Sequence, residues 1–202
     1  MIAIIDYGMG NLHSVEKALQ KVGARTAIVT EPEGIGRAKA LVLPGVGAFG
    51  KGMENLRQRG FLQFIRQWAT AGRPLLGICL GLQLLFEESE EMGRHEGLKV
   101  LPGQVVRFQG PLKVPHIGWN QIHPVRPSPI LEGIGDGSYA YFVHSYYAQP
   151  ADPAIVLATT DYGLDFASVV GKGNVFGLQF HPEKSQAVGL RILRNFLEDV
   201  NR

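Results

Sequence analysis

The only cysteine of the chain stands in a turn between two apolar segments. The sequence Gly77-Ile78-Cys79-Leu80-Gly81 follows a short apolar run and precedes a second one with helical character. Glycines on both sides of a nucleophile permit a sharp strand-to-helix turn, and the free N–H groups of a helix N-terminus lower a thiol pKa and can hold an oxyanion. Cys79 is therefore a candidate nucleophile, although most free cysteines are small buried core residues.

A second candidate segment, Gln179-Phe180-His181-Pro182-Glu183, lies near the C-terminus. In an extended segment, His181 and Glu183 project to the same face because they are two residues apart. A carboxylate beside an imidazole fixes its tautomer and stabilises its charged form. Together with Cys79, this pair predicts a Cys–His–acid nucleophilic site. The order of the acid after the histidine disfavours an α/β-hydrolase, in which the acid comes first.

Length and composition predict one ordinary globular domain over residues 1–202. The chain is 45% apolar and 19% charged, and its net charge of +2 offers no electrostatic argument for binding nucleic acid or a membrane. A single cysteine fits a reducing compartment, and the N-terminus lacks the basic start of a signal peptide. We therefore expect a cytoplasmic protein. No His or Cys cluster has metal-ligand spacing, so we expect no metal or cofactor.

Strand and helix patterns alternate in the first half of the chain. Short apolar runs predict strands at Ile2–Ile5, Thr26–Val29, Ala40–Leu43 and Leu75–Ile78. Helical spacing predicts helices from Asn11 to Val22, from Met53 to Ala71 with a break at Gly60, and over Leu80–Glu87. This alternation predicts an open, mostly parallel sheet with helices on both faces, which is an α/β fold.

The second half has a different pattern, with short segments separated by Gly, Pro and Asp. We predict strands at Val100–Phe108, Leu112–Val114, Gly118–His123, Tyr139–Val143, Ile155–Thr160, Ala167–Val170 and Val175–Gln179, and a last helix at Ala187–Val200. This pattern predicts antiparallel or mixed sheet in the second half. Sites on open α/β sheets lie beyond the carboxyl ends of strands, so Cys79, the Gly45–Gly47 loop and His181 are expected to meet.

Six segments of the chain carry a resemblance to a known family. They are Asp6–Asn11, Leu43–Phe49, Gly77–Gln83, Pro115–Asn120, Tyr141–Tyr146 and Gln179–Ser185. Together they resemble the class I, triad-type glutamine amidotransferases, which have a flavodoxin-like fold. More closely, the chain is similar to the glutaminase subunits of imidazole glycerol phosphate synthases, which act in histidine biosynthesis.

The resemblance implies a mechanism and a set of site residues. Cys79 attacks the side-chain amide of glutamine, His181 transfers protons and Glu183 orients His181. The oxyanion is held by the N–H of Leu80 and by the loop of Gly45, Val46 and Gly47, for which a peptide flip is a hypothesis. Glutamine binding is implied for Gln83, Glu91, His144, Ser145 and Tyr146. Glu91 also belongs to an acidic run, which is typical of a solvated face.

The resemblance further implies a partner, because this chain has no barrel of its own. The ammonia would pass to a separate (β/α)8-barrel cyclase subunit, which makes imidazole glycerol phosphate and aminoimidazole carboxamide ribotide. Interface residues implied by the resemblance are Pro115, His116, Trp119, Asn120, Tyr141 and Lys184. Trp119 is either an interface anchor or a core residue.

Two further interpretations stay open. One is the glutaminase of another ammonia-using synthase, for pyridoxal phosphate or anthranilate. Against the anthranilate type, Leu82 stands where that type usually has His. The other is a catalytically inactive subunit that only binds a partner, which the intact Cys79, His181 and Glu183 disfavour.

Overall fold

The structure, a computed structural model, describes residues 1–202 of the chain. The elements of the first half are β1 (Ile2–Ile5), α1 (Leu12–Lys21), β2 (Thr26–Val29), β3 (Ala40–Gly45), α2 (Phe49–Gln58), α3 (Phe61–Thr70), β4 (Leu75–Cys79) and α4 (Leu80–Leu84). The elements of the second half are β5 (Glu88–Ser89), β6 (His95–Glu96), β7 (Gly103–Arg107), β8 (His116–Pro124), β9 (Ser138–His144), β10 (Tyr146–Pro150), β11 (Val156–Asp161), β12 (Asp165–Lys172), β13 (Val175–Leu178) and α5 (Gln186–Asn201).

Nine strands form one mixed sheet in the order β2-β1-β3-β4-β13-β12-β11-β8-β9. The first five strands of this order are parallel to their neighbours, whereas β12, β11, β8 and β9 pair antiparallel. A separate sheet has the order β10-β7-β5-β6. The predicted α/β class and the change from parallel to antiparallel pairing are therefore confirmed.

Two hydrophobic cores lie on opposite faces of the large sheet. Along β1, Ile2 and Ile4 belong to one core and Ala3 and Ile5 to the other, because successive residues of a strand point to opposite faces. Helices α1 and α5 cover the first core, and helices α2 and α3 cover the second. The prediction of helices on both faces is confirmed. No helix is long and apolar enough to cross a membrane.

Most predicted element boundaries agree with the structure to within two residues, but four predictions were wrong. The helix predicted over Leu80–Glu87 ends at Leu84. The carbonyl groups of Leu84 and Leu85 instead accept backbone hydrogen bonds from Leu98 and Val100. These distant donors replace the helical ones, so the chain turns away into β5.

The region predicted as a helix from Met53 begins earlier and is divided into α2 and α3. Its first residue is Phe49, whose backbone N–H donates to the Glu91 carboxylate at 2.6 Å. A side chain from another part of the chain thus satisfies one of the free donors at this helix start. The predicted break at Gly60 is confirmed, since Gly60 precedes α3 with a left-handed φ of 75°.

Leu112–Val114 was predicted as a strand but pairs with no other strand. Pro111 and Pro115 flank this segment and have no backbone N–H for a ladder. The carbonyl of Lys113 accepts a hydrogen bond from the Tyr162 hydroxyl instead, at 2.7 Å. Strand β7 similarly begins three residues later than the predicted Val100.

Candidate active site

Cys79 lies at the sharp turn between β4 and α4, as predicted. Its φ of 54° is positive, and its side chain is almost buried, with 5% of the residue exposed. Gly81 makes the turn possible, because a β-carbon there would overlap the carbonyl oxygen of Leu43. The parallel pairing of β3 and β4 sets Gly45 opposite Cys79. The Gly45–Gly47 loop is therefore next to the nucleophile candidate.

His181 and Glu183 form a buried ion pair beside Cys79. The Nδ1 atom of His181 lies 2.8 Å from Oε1 of Glu183, and the two side chains are 3% and 2% exposed. The backbone N–H of His181 donates to the carbonyl of Tyr141 in β9, and the Ser185 hydroxyl donates to the His181 carbonyl. These bonds hold the histidine at the carboxyl end of the sheet.

The charge of His181 results from two opposing influences. Burial lowers the pKa of an imidazole, but hydrogen bonding and charge interactions with Cys79 and Glu183 outweigh it and raise the pKa of His181 to about 9. The other ring nitrogen, Nε2, is buried and is the atom left to interact with Cys79. The site therefore holds a protonated imidazole at neutral pH between a thiol and a carboxylate.

A cavity of about 420 Å³ opens over Cys79. Most residues that the resemblance assigned to the oxyanion loop and to glutamine binding line it. The lining residues are Val46, Gly47, Cys79, Leu80, Gln83, Glu91, Pro115, Val143, His144, Ser145 and Tyr146. The structure thus brings these predicted residues together, and it sets Pro115, predicted at the partner interface, in the cavity wall.

Two polar side chains of the cavity are already engaged by the protein. Glu91 uses one carboxylate oxygen to accept from the Phe49 N–H. The amide nitrogen of Gln83 donates to the carbonyl of Tyr146 at 2.9 Å and to Oε1 of Gln179 at 3.1 Å. Both amide hydrogens of Gln83 are then used, so its amide oxygen is the atom left to accept from a ligand.

The His144 side chain is held by other parts of the protein. Its Nδ1 lies 2.8 Å from the carbonyl oxygen of Tyr146, and its Nε2 lies 3.1 Å from Nδ1 of His116. Both ring nitrogens are therefore engaged within the protein. The ring also packs against Phe108 and Phe166. His144 borders the cavity, but only its backbone is free to meet a ligand.

The predicted interface residues are on the β8–β9 hairpin and on the segment that follows His181. Trp119 is opposite Tyr141 in the strand pairing, and the Lys184 ammonium lies 5.7 Å from the Tyr141 ring centre. Trp119 is 46% exposed, which excludes the core position considered for it. His116 is the exception, because it is buried among aromatic rings and cannot contact a partner from there.

Sequence reasoning missed several residues of this region. Gln179 lies between Gln83 and Cys79, with its Nε2 3.9 Å from the Cys79 sulfur. The Tyr7 hydroxyl is buried without a partner and lies against Gly45. Ile117 and Tyr139 are exposed on the same strands as Trp119 and Tyr141, at even spacing. Only this last pair had a signal in the sequence, the alternation of β-strands.

This arrangement, a nucleophile elbow with a His–Glu pair at the carboxyl end of a parallel sheet, has the geometry of an activated cysteine nucleophile. The family described as glutamine amidotransferase class-I matches residues 3–200. The chain belongs to this family, and it is an enzyme of the glutamine amidotransferase type. Its flavodoxin-like mixed α/β fold agrees with that of the family.

Full-length relatives give a finer comparison. The chain is 56% identical to the imidazole glycerol phosphate synthase subunit HisH of Syntrophotalea carbinolica, over 97% of this chain and 98% of the relative. It is 51% identical to the HisH subunit of Desulfitobacterium hafniense, over 100% of this chain and 95% of the relative. Over its full length the chain therefore resembles the glutamine amidotransferase subunit of imidazole glycerol phosphate synthase, an enzyme of histidine biosynthesis.

Solved structures that resemble this chain are more distant in sequence. A glutamine amidotransferase crystal structure superposes with a TM-score of 0.79 at 24% identity, covering 100% of both chains. The structure of PurLQS from Thermotoga maritima gives a TM-score of 0.78 at 18% identity, over 98% of this chain and 97% of that one. At these identities the likeness extends to the fold alone.

Proposed function

We propose that this chain is a single glutaminase domain that hydrolyses glutamine with Cys79, His181 and Glu183 and delivers ammonia to a separate (β/α)8-barrel cyclase. The resulting complex would act as an imidazole glycerol phosphate synthase. The main observation behind the proposal is the buried His181–Glu183 pair next to Cys79, which itself lines a cavity together with Gln83 and Glu91. Identity above 50% to HisH subunits supports this pathway over other synthases.

The chemistry follows from these positions. The Cys79 thiolate attacks the side-chain amide carbon of glutamine, and the protonated His181 gives its proton to the departing ammonia. The neutral imidazole then removes a proton from water, which hydrolyses the glutamyl thioester to glutamate. Glu183 accepts the Nδ1 hydrogen bond and stabilises the charged imidazole throughout.

The negative oxygen of the tetrahedral intermediate requires hydrogen-bond donors in place. The backbone N–H of Leu80 follows the nucleophile and begins α4. A second donor would come from the Gly45–Gly47 loop, where Gly45 is paired with Cys79 and Gly47 has a φ of 103°. Val46 is 42% exposed, so this loop is accessible to a partner that could change its peptide orientation.

Substrate recognition combines acceptors and donors around the cavity. The free carboxylate oxygen of Glu91 and the amide oxygen of Gln83 can accept from the ammonium or amide groups of glutamine. The Ser145–Tyr146 backbone follows β9 and closes the same cavity. A cavity of about 420 Å³ is large enough for one amino acid.

The cyclase would dock on the exposed face of the β8–β9 hairpin. This face carries Ile117, Trp119 and Tyr139, which are 58%, 46% and 54% exposed, and Tyr141 with Lys184 beside it. Aromatic residues of this kind are common interface anchors. The backbone of Tyr141 bonds directly to His181, so the docking face is connected to the catalytic histidine.

The test is glutamate release from glutamine by the chain alone and with an imidazole glycerol phosphate cyclase subunit and its ribotide ligand. We expect low activity alone, strong stimulation by the cyclase, and loss of activity in Cys79→Ala. Activity that does not respond to the cyclase would reassign the partner to another synthase. No activity in any mixture would favour the inactive, partner-binding subunit.

A further inference from the structure

An uninterrupted hydrogen-bonded chain runs from β8 to the glutamine cavity. Asn120 Nδ2 lies 3.2 Å from His116 Nε2, and His116 Nδ1 lies 3.1 Å from His144 Nε2. His144 Nδ1 lies 2.8 Å from the carbonyl oxygen of Tyr146. That carbonyl also accepts from Gln83. Neither the catalytic residues nor the docking face accounts for this arrangement.

Asn120, the member farthest from the cavity, determines which atoms donate and which accept along this series of hydrogen bonds. The side-chain oxygen of Asn120 accepts from the backbone N–H of Gln121 at 2.8 Å, and its nitrogen donates to the carbonyl of Asp161 at 2.9 Å. A reversed amide would set donor against donor at Gln121 and acceptor against acceptor at Asp161, so the nitrogen must face His116. His116 Nε2 therefore accepts a hydrogen bond.

The contact between His144 and the Tyr146 carbonyl independently indicates the same direction of hydrogen-bond donation. A backbone carbonyl only accepts, so Nδ1 of His144 must carry the hydrogen that bonds to Tyr146. In a neutral imidazole the opposite nitrogen then accepts, which requires His116 to donate from Nδ1. Burial favours the neutral rings, because it lowers the pKa of His116 to about 4 and that of His144 to about 3.

We propose that His116 and Asn120 are positioning residues for the glutamine cavity, acting through His144. They hold His144 in the single tautomer that donates to the Tyr146 carbonyl, and this carbonyl in turn fixes the Gln83 amide. Gln83 then presents its oxygen, not its nitrogen, to the substrate. The inference rests on the proposed glutaminase function and reassigns His116 and Asn120 from the partner interface to the substrate site.

Aromatic rings pack closely around both histidines of this hydrogen-bonded series. The ring stacks between Phe142 and Tyr162, with centroids 5.0 and 4.0 Å away. His144 is enclosed by Phe108, Phe142 and Phe166. Both residues are buried, so each ring depends on its neighbour for hydrogen bonding.

The first experiment substitutes His116→Phe, which keeps a flat ring in the stack but removes the donor to His144. We expect the KM for glutamine to rise about five- to tenfold while kcat changes less than about twofold, which corresponds to the loss of roughly one hydrogen bond's net contribution. The matched control is Tyr162→Phe, which alters the same stack and removes the hydrogen bond to Lys113 but leaves the chain intact. An unchanged KM in His116→Phe, or an equal rise in the control, would overturn the proposal.

The second experiment needs no activity and no variant that might misfold. Nitrogen-15 NMR of the imidazole rings of the full chain at pH 7 should find His116 and His144 both neutral and protonated at Nδ1. A ring protonated at Nε2, or on both nitrogens, would overturn the inference while leaving the proposed function intact. If both rings are neutral and protonated at Nδ1 but the protein has no glutaminase activity, the hydrogen-bonded series exists and its role in substrate binding is excluded.

Discussion

His181 and Glu183 contact each other through a 2.8 Å hydrogen bond in a pair of side chains that water hardly reaches. The carboxylate thus acts on the imidazole at short range and with little screening. Together with Cys79, it keeps His181 protonated despite burial. The catalytic power that we propose for the site depends on this relationship, which makes Glu183 the first position to change.

Glu183→Gln keeps the shape of the side chain but removes its charge. The pKa of His181 should fall below about 9, and kcat for glutamate release in the presence of the cyclase should fall by about 10²- to 10⁴-fold. The KM for glutamine should change little, because Glu183 does not line the cavity. The control is Glu198→Gln, on α5 and outside the cavity lining, which should leave kcat and KM unchanged. Retention of more than half of kcat in Glu183→Gln would contradict the triad assignment.

The stability of the protein should depend on pH in two opposite ways. The pKa of His181 is raised to about 9, so its stabilising contribution is complete below about pH 6.5 and is lost as pH rises towards 9. The pKa values of His116 and His144 are lowered to about 4 and 3, so their contribution is complete above about 6.5 and is lost as pH falls. For these three groups, the free energy of unfolding is greatest near pH 6.5.

Denaturant unfolding at pH 5, 6.5 and 8.5 measures how the free energy of unfolding changes on the acidic and on the alkaline side of pH 6.5. Cys79→Ser is the informative variant, because the cysteine contributes much of the rise in the pKa of His181. This variant should lose less stability than the wild type between pH 6.5 and 8.5, and an equal amount between pH 6.5 and 5. If the wild type and Cys79→Ser lose the same free energy of unfolding between pH 6.5 and 8.5, Cys79 does not contribute to the raised pKa of His181.

The elements that the sequence predicted well depend on neighbouring residues. The apolar run of β1 and the Asn11 cap of α1, which accepts from the Ser14 N–H, act within a few positions of themselves. The two helix boundaries that were predicted wrongly depend on distant partners. Helix α2 begins where Glu91, 42 residues away, accepts its first N–H, and no local pattern contains that contact.

The same distinction applies to the site. Cys79, His181 and Glu183 were recognised because their residue types and short spacings are typical of nucleophilic chemistry. The role inferred for His116 was not, since it depends on a ring 28 positions away and on the burial that β8 and β9 create together. Tyr7 is a further example, because only folding brings it against the Gly45–Gly47 loop.

Tyr7 and Gly45 should show strong energetic coupling. The Tyr7 hydroxyl has no hydrogen-bond partner and occupies the place that a β-carbon on Gly45 would take. Tyr7→Phe removes an unpaired buried hydroxyl, so it should keep or raise the free energy of unfolding by up to about 1 kcal/mol. Gly45→Ala should destabilise the wild type by several kcal/mol, and it should cost about 1–3 kcal/mol less when Tyr7→Phe is also present.

A double-mutant cycle measured by denaturant unfolding tests this coupling. Leu80 and Gly81 also lie near the same position of Gly45, so the rescue should be partial. Gly34→Ala, where a β-carbon would make only ordinary contacts with Val29, provides the control and should show no coupling to Tyr7. Strictly additive effects of Tyr7→Phe and Gly45→Ala would contradict the placement of the hydroxyl against this loop.

Trp119→Ala tests the proposed docking face. Trp119 is 46% exposed, and it meets only Tyr141 edge-on among the aromatic rings, so its loss should change the free energy of unfolding by less than about 1 kcal/mol. Its removal should nevertheless weaken the stimulation of glutamate release by the cyclase about tenfold at subsaturating cyclase, because buried aromatic anchors dominate interface energies. Val125→Ala, which is 52% exposed and lies beyond the end of β8, is the control. Stimulation that survives in Trp119→Ala as fully as in the control would exclude this face of the hairpin as the cyclase interface.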